Sequence, residues 1–473
     1  MNATQRIIKN TLLLLISGVI SQLISFTAVV YLARALGPDN FGKISFAATI
    51  ILYFTILANS GLPLLGTREI ARERKNINEY FNNILILRAC LAAFSFVLLL
   101  GFLLLLNKSY EVKLLILLYG IGLLFSPLLI DWVFQGIEKM GYIALGRIFS
   151  AVSFAMLIFL FIKRPDQLFL VPCFQIAGSL AASLILVSVF LKDFGRISFK
   201  ADLDFCKNLL KQALPFGISI GLIQVIYSID TVMLGFMRSD AEIGYYNAAY
   251  KIILPLIMVG AIYFDAAFPV ISSYYKTSFG SLIRLQTYNA RLMAIVALPM
   301  AIGGSFLAMP FMTFIYGPRY DSAANALRIL ILAAALIYMN MIYARGLWAC
   351  DKQHAYMKIV FGQAIVNIGL NLVLIPYFGI LGASISTLCA ELCGFFFYYH
   401  EFTKIVHIPP LRHIYRPLIA SLLMVPFLTL GKNLNILLVI AICMVIYFCS
   451  LYLIKGITKE DMGGLRAALV LGT

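Results

Sequence analysis

TLLLLISGVISQLISFTAVVYLA occupies residues 11–33, and GKISFAATIILYFTILANSGLPL occupies residues 42–64. Each stretch is long enough to cross a bilayer as a helix, because a crossing needs about 20 mostly apolar residues. The short stretch RALGPDNF between them contains a Gly-Pro pair, which is typical of a turn. The opening of the chain therefore predicts two consecutive membrane-spanning helices joined by a tight turn.

The composition of the whole chain supports a membrane protein. Of its 473 residues, 62% are hydrophobic and 12% are charged, and the mean hydropathy is +0.94. Soluble domains have about 45–50% apolar and roughly 25% charged residues. This composition argues against a soluble enzyme, a secreted disulfide scaffold, a disordered chain and a nucleic-acid-binding protein.

Similar apolar runs recur along the sequence, and we expect all of them to be helices, since backbone groups in lipid must bond within a helix or a closed barrel and the runs are too long for barrel strands. The expected fold is all-α and polytopic, with about fourteen spans. Their approximate positions are 11–33, 42–64, 81–106, 112–134, 142–162, 167–191, 213–237, 244–273, 285–309, 324–348, 356–378, 380–400, 413–431 and 435–455.

The distribution of basic residues predicts the orientation. The net charge is +16, and most of the lysines and arginines fall in alternate loops, beginning with the N-terminal segment. Cytoplasmic loops are enriched in Lys and Arg, so both termini are expected in the cytoplasm. The first apolar run is too long for the core of a signal peptide and is read as a retained helix.

An internal repeat divides the chain. A shift of 202 residues aligns residues 22–52 with 224–254, and nine of the 31 aligned positions are identical, including Gly42 and Gly244. Both segments enter the membrane in the same direction, which predicts two parallel six-helix lobes related by a pseudo-twofold axis along the membrane normal. The expected domains are an N-lobe at 1–200, a C-lobe at 201–405, and two extra helices with a cytoplasmic tail at 406–473.

Three segments carry a family resemblance. YLARALGPDNFGKISFAATI (31–50) resembles the opening signature of polysaccharide transporters in the MOP (multidrug/oligosaccharidyl-lipid/polysaccharide) superfamily. LPFGISIGLIQVIYSIDTVMLGFMRSDAEIGYYNAAYKIILPL (214–256) looks like the seventh and eighth helices of that family, and NIGLNLVLIPYFGILGASISTLCAELCGFFFYY (367–399) is similar to its eleventh and twelfth. The closest resemblance is to Wzx-type O-antigen and repeat-unit flippases.

The resemblance implies a function and partners. Such flippases are implied to move undecaprenyl-pyrophosphate-linked oligosaccharides from the inner to the outer leaflet of the bacterial inner membrane, for O-antigen or polysaccharide biosynthesis. The expected mechanism is alternating access between the two lobes. Partners would be the lipid-linked oligosaccharide, membrane lipids and the polysaccharide polymerase or chain-length machinery, without nucleic acid.

Basic residues inside the spans are the candidate substrate ligands. A charge at membrane depth needs a partner, a wet cavity or a route by which the side chain reaches the headgroups. A lipid pyrophosphate in a cavity would need cations, and Arg offers a bidentate fork for phosphate oxygens. The predicted cavity cations are Arg34, Arg88, Arg147, Lys251, Arg291 and Arg345.

Two acids are candidates for ion coupling or for a structural pair. Asp230 and Lys251 lie at similar depth on consecutive predicted spans, which allows an ion pair that either locks the hairpin or changes during transport. Glu391 lies near the middle of span twelve and could carry a proton or a sodium ion, or simply form a structural contact. Asp131 and Asp265 lie nearer the predicted inner ends.

Other functions remain open from sequence alone. A multidrug cation antiporter of the same superfamily is the main alternative, although it would favour an acidic cavity. A membrane glycosyltransferase would need a large external loop with acidic catalytic residues. A scaffold in a polysaccharide assembly complex would tolerate replacement of Lys251 and Arg147 by neutral residues. No nucleotide-binding loop, hydrolase motif or metal-ligand spacing is present in the sequence. We therefore expect a transporter rather than an enzyme, without a cofactor or metal beyond coupling to H⁺ or Na⁺.

Overall fold

A computed structural model of the chain describes residues 3–73, 76–194, 202–407, 411–431 and 434–456, and it describes the side chains of all of these except residues 3–9 and 411–413. Helices make up nearly all of these ranges, and no strand occurs in them. The predicted all-α polytopic fold is confirmed.

The helices follow one another with short connections. Their bounds are α1 Ala3–Asn59, α2 Leu62–Arg72, α3 Ile77–Leu105, α4 Tyr110–Phe125, α5 Asp131–Gly136, α6 Met140–Phe161, α7 Leu170–Phe194, α8 Leu203–Met237, α9 Asp240–Thr277, α10 Phe279–Tyr316, α11 Ala324–Ala349, α12 Gln353–Phe378, α13 Ile380–Thr403, α14 Leu411–Leu422, α15 Val425–Leu430 and α16 Ile436–Leu453.

Every predicted span coincides with helical structure. Twelve helical stretches of the described chain are long and apolar enough to cross a membrane, and the first of them, Asn10–Asn59, has 50 residues. At about 1.5 Å per residue it is roughly twice as long as a bilayer core requires, so it contains two of the predicted spans. The thirteenth span corresponds to the shorter apolar stretch Ile414–Leu430.

The long first helix is interrupted where the sequence predicts the turn. Gly37 has φ 78° and ψ 171°, a conformation that suits glycine, and Pro38 follows it. The segment before this break runs along α6, because residues near its two ends contact opposite ends of that helix. The Asn10 amide donates to the Glu138 carbonyl just before α6, whereas the Tyr31 hydroxyl donates to the Ile162 carbonyl just after it.

The chain divides into two compact units, Met1–Gly244 and Tyr245–Thr473. The first unit contains α8, because this helix packs against α1, α2 and α3. The predicted seventh span therefore lies with the first six in this division. The repeat-based boundaries near residues 200 and 405 remain a prediction, and the predicted cytoplasmic tail after 456 lies outside the described residues.

The first unit has an aromatic core near its predicted cytoplasmic end. The rings of Phe81 and Phe190 stack with centroids 3.9 Å apart, and Trp132 also stacks with Phe81. The amphipathic helix α2 adds Leu62, Leu65 and Ile70 to this core, and its Arg72 is exposed. The sequence reading placed residues 65–80 in a polar connection and did not predict α2.

The second unit contains two clusters of buried side chains. In the larger cluster, Tyr343 of α11 packs edge-on against Phe395 and Tyr399 of α13. In the smaller cluster, α14, α15 and α16 pack against α10, and the Tyr447 hydroxyl donates a 2.7 Å hydrogen bond to the Ile295 carbonyl. The two C-terminal spans therefore dock on α10 of this unit.

Candidate functional site

Arg88 of α3 lies at the centre of a buried hydrogen-bond network. Only 2% of its surface is exposed. Its Nη1 donates to the carbonyls of Pro127 and Leu129 at 3.4 and 2.9 Å, and its Nη2 donates to the Ser126 carbonyl at 2.6 Å. Nε and Nη2 also donate to Asn59 Oδ1 at 3.2 and 2.8 Å.

These five bonds match the five N–H donors of a guanidinium group. Arg88 therefore has no donor left for a phosphate oxygen in this conformation, and the geometry fits a structural role for this predicted cavity cation.

The acceptors of Arg88 come from a break in predicted span four. Helix α4 ends at Phe125, Ser126–Leu128 forms a 3₁₀ turn around Pro127, and α5 begins at Asp131. A break leaves carbonyl groups without helical partners, which is costly at membrane depth. Arg88 satisfies three of these carbonyls, so a buried cation stabilises an interrupted transmembrane helix.

A cavity of about 460 Å³ lies in the first unit, beside this break. Its lining includes Asn59, Thr67, Asp131, Gln135 and Gln224 from four different helices. In the predicted orientation Asn59 and Asp131 lie near the cytoplasmic ends of spans two and four, whereas Gln224 lies near the middle of span seven. This volume falls within the range of small-molecule sites, about 300–1,000 Å³.

Arg34 and Arg147 also belong to the first unit. Both side chains are exposed, Arg34 close to the break in α1 and Arg147 on α6. The Asp131 carboxylate interacts electrostatically with Arg147 and, more weakly, with Arg88. Arg147 therefore adds positive charge near Asp131, while Arg34 lies on α1 close to its break. Their role as cavity cations remains a prediction.

Asp230 and Lys251 fall in different units of the structure. Asp230 is 7% exposed in α8, and Lys251 is half-buried in α9. Their predicted ion pair remains a prediction.

Arg291 and Arg345 lie in the second unit. Arg291 is half-buried on α10. Arg345 Nη2 lies 2.8 Å from Asp265 Oδ1, and its guanidinium stacks over the Trp348 ring at 5.1 Å. Asp265 is 63% exposed, so this pair lies at a solvated or headgroup-facing surface and leaves Arg345 other donors.

Glu391 is held by carboxamides from two neighbouring helices. Asn340 Nδ2 of α11 donates to its Oε2 at 2.7 Å and to its carbonyl at 3.0 Å. Gln363 Nε2 of α12 reaches the same Oε2 at 3.5 Å, and the Tyr398 hydroxyl orients Gln363 by donating to its Oε1 at 3.0 Å. Within the described residues no Lys, Arg or His forms an ion pair with Glu391.

The partners of these charged groups were missed by the sequence reading. Each partner is a single amide side chain in an apolar span: Asn59, Asn340 and Gln363. The sequence indicated only that a polar side chain in lipid needs some partner. Their partners lie 28 to 51 residues away, so the pairing depends on helix packing. No cluster of three or more His, Cys, Asp or Glu suited to a metal occurs in the part of the chain that the structure describes.

Comparison with known sequences places the chain among polysaccharide-related membrane proteins. Residues 7–275 match the model of a family described as polysaccharide biosynthesis protein. A protein of Shigella dysenteriae named as an O-antigen transporter is 27% identical over 396 residues, which cover 81% of this chain and 96% of that protein. A protein of Escherichia coli K12 with the same name is 23% identical over 371 residues, covering 76% and 88%.

Solved structures share the fold. The lipid II flippase MurJ in an inward closed conformation superposes with a TM-score of 0.75 at 15% identity, covering 93% of this chain and 98% of that one. An inward-facing multidrug resistance transporter of the MATE family and MOP superfamily gives 0.65 at 16% identity, covering 81% and 95%. At these identities the likeness establishes the fold, which agrees with the superfamily that the sequence motifs indicate.

Proposed function

Because the chain belongs to the polysaccharide biosynthesis protein family, whose model covers more than half of it, we propose that it is a flippase for lipid-linked oligosaccharides. The observation that carries this proposal is the near full-length match to proteins named as O-antigen transporters. The fold shared with a lipid II flippase supports it further.

In this proposal the protein works in the bacterial inner membrane with both termini in the cytoplasm. The cargo is an undecaprenyl-pyrophosphate-linked repeat unit, taken up from the cytoplasmic leaflet while its lipid tail stays in the bilayer. Alternating access then exposes the glycan on the other side, where the polymerase and chain-length machinery receive it. The chain acts as a transporter without catalysing a reaction.

The pyrophosphate requires cations, and the predicted residues differ in how well they suit that role. Arg34, Arg147, Lys251, Arg291 and Arg345 are the proposed ligands. Arg88 is left out of this set because all its donors bind the protein. Several separate cations suit a transporter, since a single tight cage would hinder release of the cargo.

Glu391 is the proposed site of coupling to H⁺ or Na⁺. The carboxylate of Glu391 is held by neutral amides. It can therefore bind a proton, or a cation coordinated through oxygen atoms, without first breaking an ion pair to a basic side chain. Among the described residues, the buried Asn340 Oδ1 accepts no hydrogen bond, so an oxygen acceptor remains beside the carboxylate. Loading this group would change the bonds that join α11, α12 and α13.

The proposal is tested with the full chain in proteoliposomes. A fluorescent undecaprenyl pyrophosphate that carries a short oligosaccharide is placed in both leaflets, and a membrane-impermeant reagent that oxidises sugars reports the outer one. We expect protein-dependent exchange between leaflets. Absence of exchange, together with efflux of cationic dyes from the same vesicles, would instead identify the multidrug antiporter.

A further inference from the structure

The cavity in the first unit presents hydrogen-bonding groups that the Arg88 network leaves unused. Asn59 accepts two bonds from Arg88 through Oδ1. Since Arg has only donors, this fixes the orientation of the Asn59 amide and directs its NH₂ group away from Arg88. Among the residues that the structure describes, this NH₂ group has no acceptor, and Asn59 lines the cavity.

Hydrogen-bond acceptors are also present in the lining of the cavity. The Asp131 carboxylate accepts no side-chain hydrogen bond within the described ranges. Gln224 donates through Nε2 to Ser228 Oγ at 3.2 Å, which leaves its Oε1 as an acceptor. Gln135 is exposed at the cavity and offers both a donor and an acceptor. The Thr67 hydroxyl donates to the Pro63 or the Trp132 carbonyl, so the lone pairs of its oxygen remain available to accept a hydrogen bond.

Donors and acceptors therefore occur together among the residues that line one cavity, on four helices. Each hydroxyl group of a sugar is at once a donor and an acceptor, so a lining that offers both kinds of group can bind neighbouring hydroxyls. An anionic phosphate inside the cavity would meet the Asp131 carboxylate. The buried cation Arg88 has its donors occupied, and Arg147, although near Asp131, is not among the described residues that line the cavity. The lining therefore favours a polyhydroxylated, uncharged group over a phosphate.

We infer that this cavity is a sugar subsite, which receives the saccharide nearest the pyrophosphate of the cargo. The inference rests on the proposed function, because only a lipid-linked glycan would bring a sugar to this depth. Asn59, Asp131, Gln135 and Gln224 contact its hydroxyl groups, and Arg88 acts as a positioning residue that fixes Asn59. The proposed pyrophosphate ligands are not among the described residues that line this cavity, and they hold the phosphates outside it.

The chain provides its own reporter for this site. It contains two tryptophans, and Trp132 lines the cavity while Trp348 lies on α11 in the other unit. In the Trp348→Phe protein, the emission of Trp132 reports cavity occupancy. The probes are undecaprenyl pyrophosphate without sugar and the same lipid carrying N-acetylglucosamine, N-acetylgalactosamine or galactose.

We expect at least one glycosylated lipid to change Trp132 emission at a concentration roughly tenfold lower than the sugarless lipid. Asp131→Asn and Gln135→Ala should raise that midpoint by about tenfold. The matched controls Asp166→Asn and Gln175→Ala, at exposed positions away from the cavity, should not. Leaflet exchange of both lipids is measured in parallel with the same variants, and the two cavity variants should lower the preference for the glycosylated lipid.

Equal midpoints for glycosylated and sugarless lipids would overturn the sugar subsite. An unchanged lipid preference in Asp131→Asn and Gln135→Ala would overturn it as well. Both results are compatible with leaflet exchange by the parent protein, so they leave the proposed function intact. Loss of exchange for every lipid in the parent protein would instead refute the proposed function itself.

Discussion

Gly42 and Gly244, which are equivalent in the internal repeat, meet each other reciprocally. A Cβ atom on Gly42 would overlap the Asp240 carbonyl oxygen, and one on Gly244 would overlap that of Pro38. Residues 38 and 240 are also related by the shift of 202. The glycine of each repeat therefore packs against the equivalent carbonyl in the turn of the other repeat. Reciprocal contact of this kind is the signature of a local twofold axis.

Substitution of either glycine should therefore destabilise the protein. Gly42→Val or Gly244→Val places a branched side chain against backbone, which cannot rotate away, and we expect a loss of roughly 1–3 kcal/mol. The measurement is the thermal unfolding midpoint in detergent. The control is Gly101→Ala, whose Cβ would meet nothing within 4 Å. Equal midpoints for the valine variants and this control would refute the close contact.

Removal of Arg88 should impair stability more than any direct step of transport. Arg88→Ala leaves Asn59 Oδ1 and the carbonyls of Pro127 and Leu129 without donors, while the Ser126 carbonyl still accepts from the Leu129 N–H, and we expect a loss of roughly 3 kcal/mol. Arg88→Lys should recover little, since lysine cannot supply five planar donors. The control is Arg164→Ala, which breaks an exposed pair with Asp166 and should cost less than about 1 kcal/mol. Normal unfolding with lost transport would return Arg88 to the set of substrate ligands.

Neutralising the proposed ligands should reduce transport without unfolding the protein. Lys251→Ala, Arg147→Ala and Arg291→Ala should each lower leaflet exchange by about tenfold, the effect expected when a hydrogen bond to a charged group is lost. Exchange is compared at matched protein levels, with Lys404→Ala as the control because Lys404 pairs with Glu401 outside the cavity set. Unchanged exchange in all three variants would remove this assignment.

Glu391→Gln tests ion coupling. Glutamine has nearly the same shape and can still bind Asn340, so the packing of α11 and α13 should survive. If Glu391 carries the coupling ion, the stimulation of exchange by an imposed H⁺ or Na⁺ gradient should fall by about tenfold, while exchange without a gradient continues. The control is Glu401→Gln. Gradient stimulation that persists in Glu391→Gln would assign the carboxyl a structural role.

Much of the fold follows from local sequence, and the site does not. A run such as residues 81–106 is identified as a helix because its hydrophobicity and length are properties of one segment. Arg88 was predicted a few residues inside the inner end of span three, whereas α3 already begins at Ile77, and its partners are carbonyls at a break around Pro127. A proline alone does not reveal whether a helix kinks, ends or unwinds, so neither the break nor the bonds of Arg88 could be predicted.

Glu391 illustrates the same limit. Its position near the middle of span twelve predicted a carboxyl that either carries an ion or forms a structural contact. In the structure the side chain is half-buried within that span. The amides that hold it lie on α11 and α12, and which faces of these helices meet depends on tertiary packing. Helix α2 was missed for a different reason. Its apolar residues recur at helical spacing but are too few to resemble a span.

The dependence of the span-four break on Arg88 also constrains how the protein is assembled. While the chain is being inserted, the open carbonyls near Pro127 meet neither water nor a donor in the hydrocarbon region. Their donor is Arg88 on α3, and Arg88 also donates to Asn59 at the end of α1. We therefore expect the interruption to form after these helices have come together, and span four to be a continuous helix before that stage.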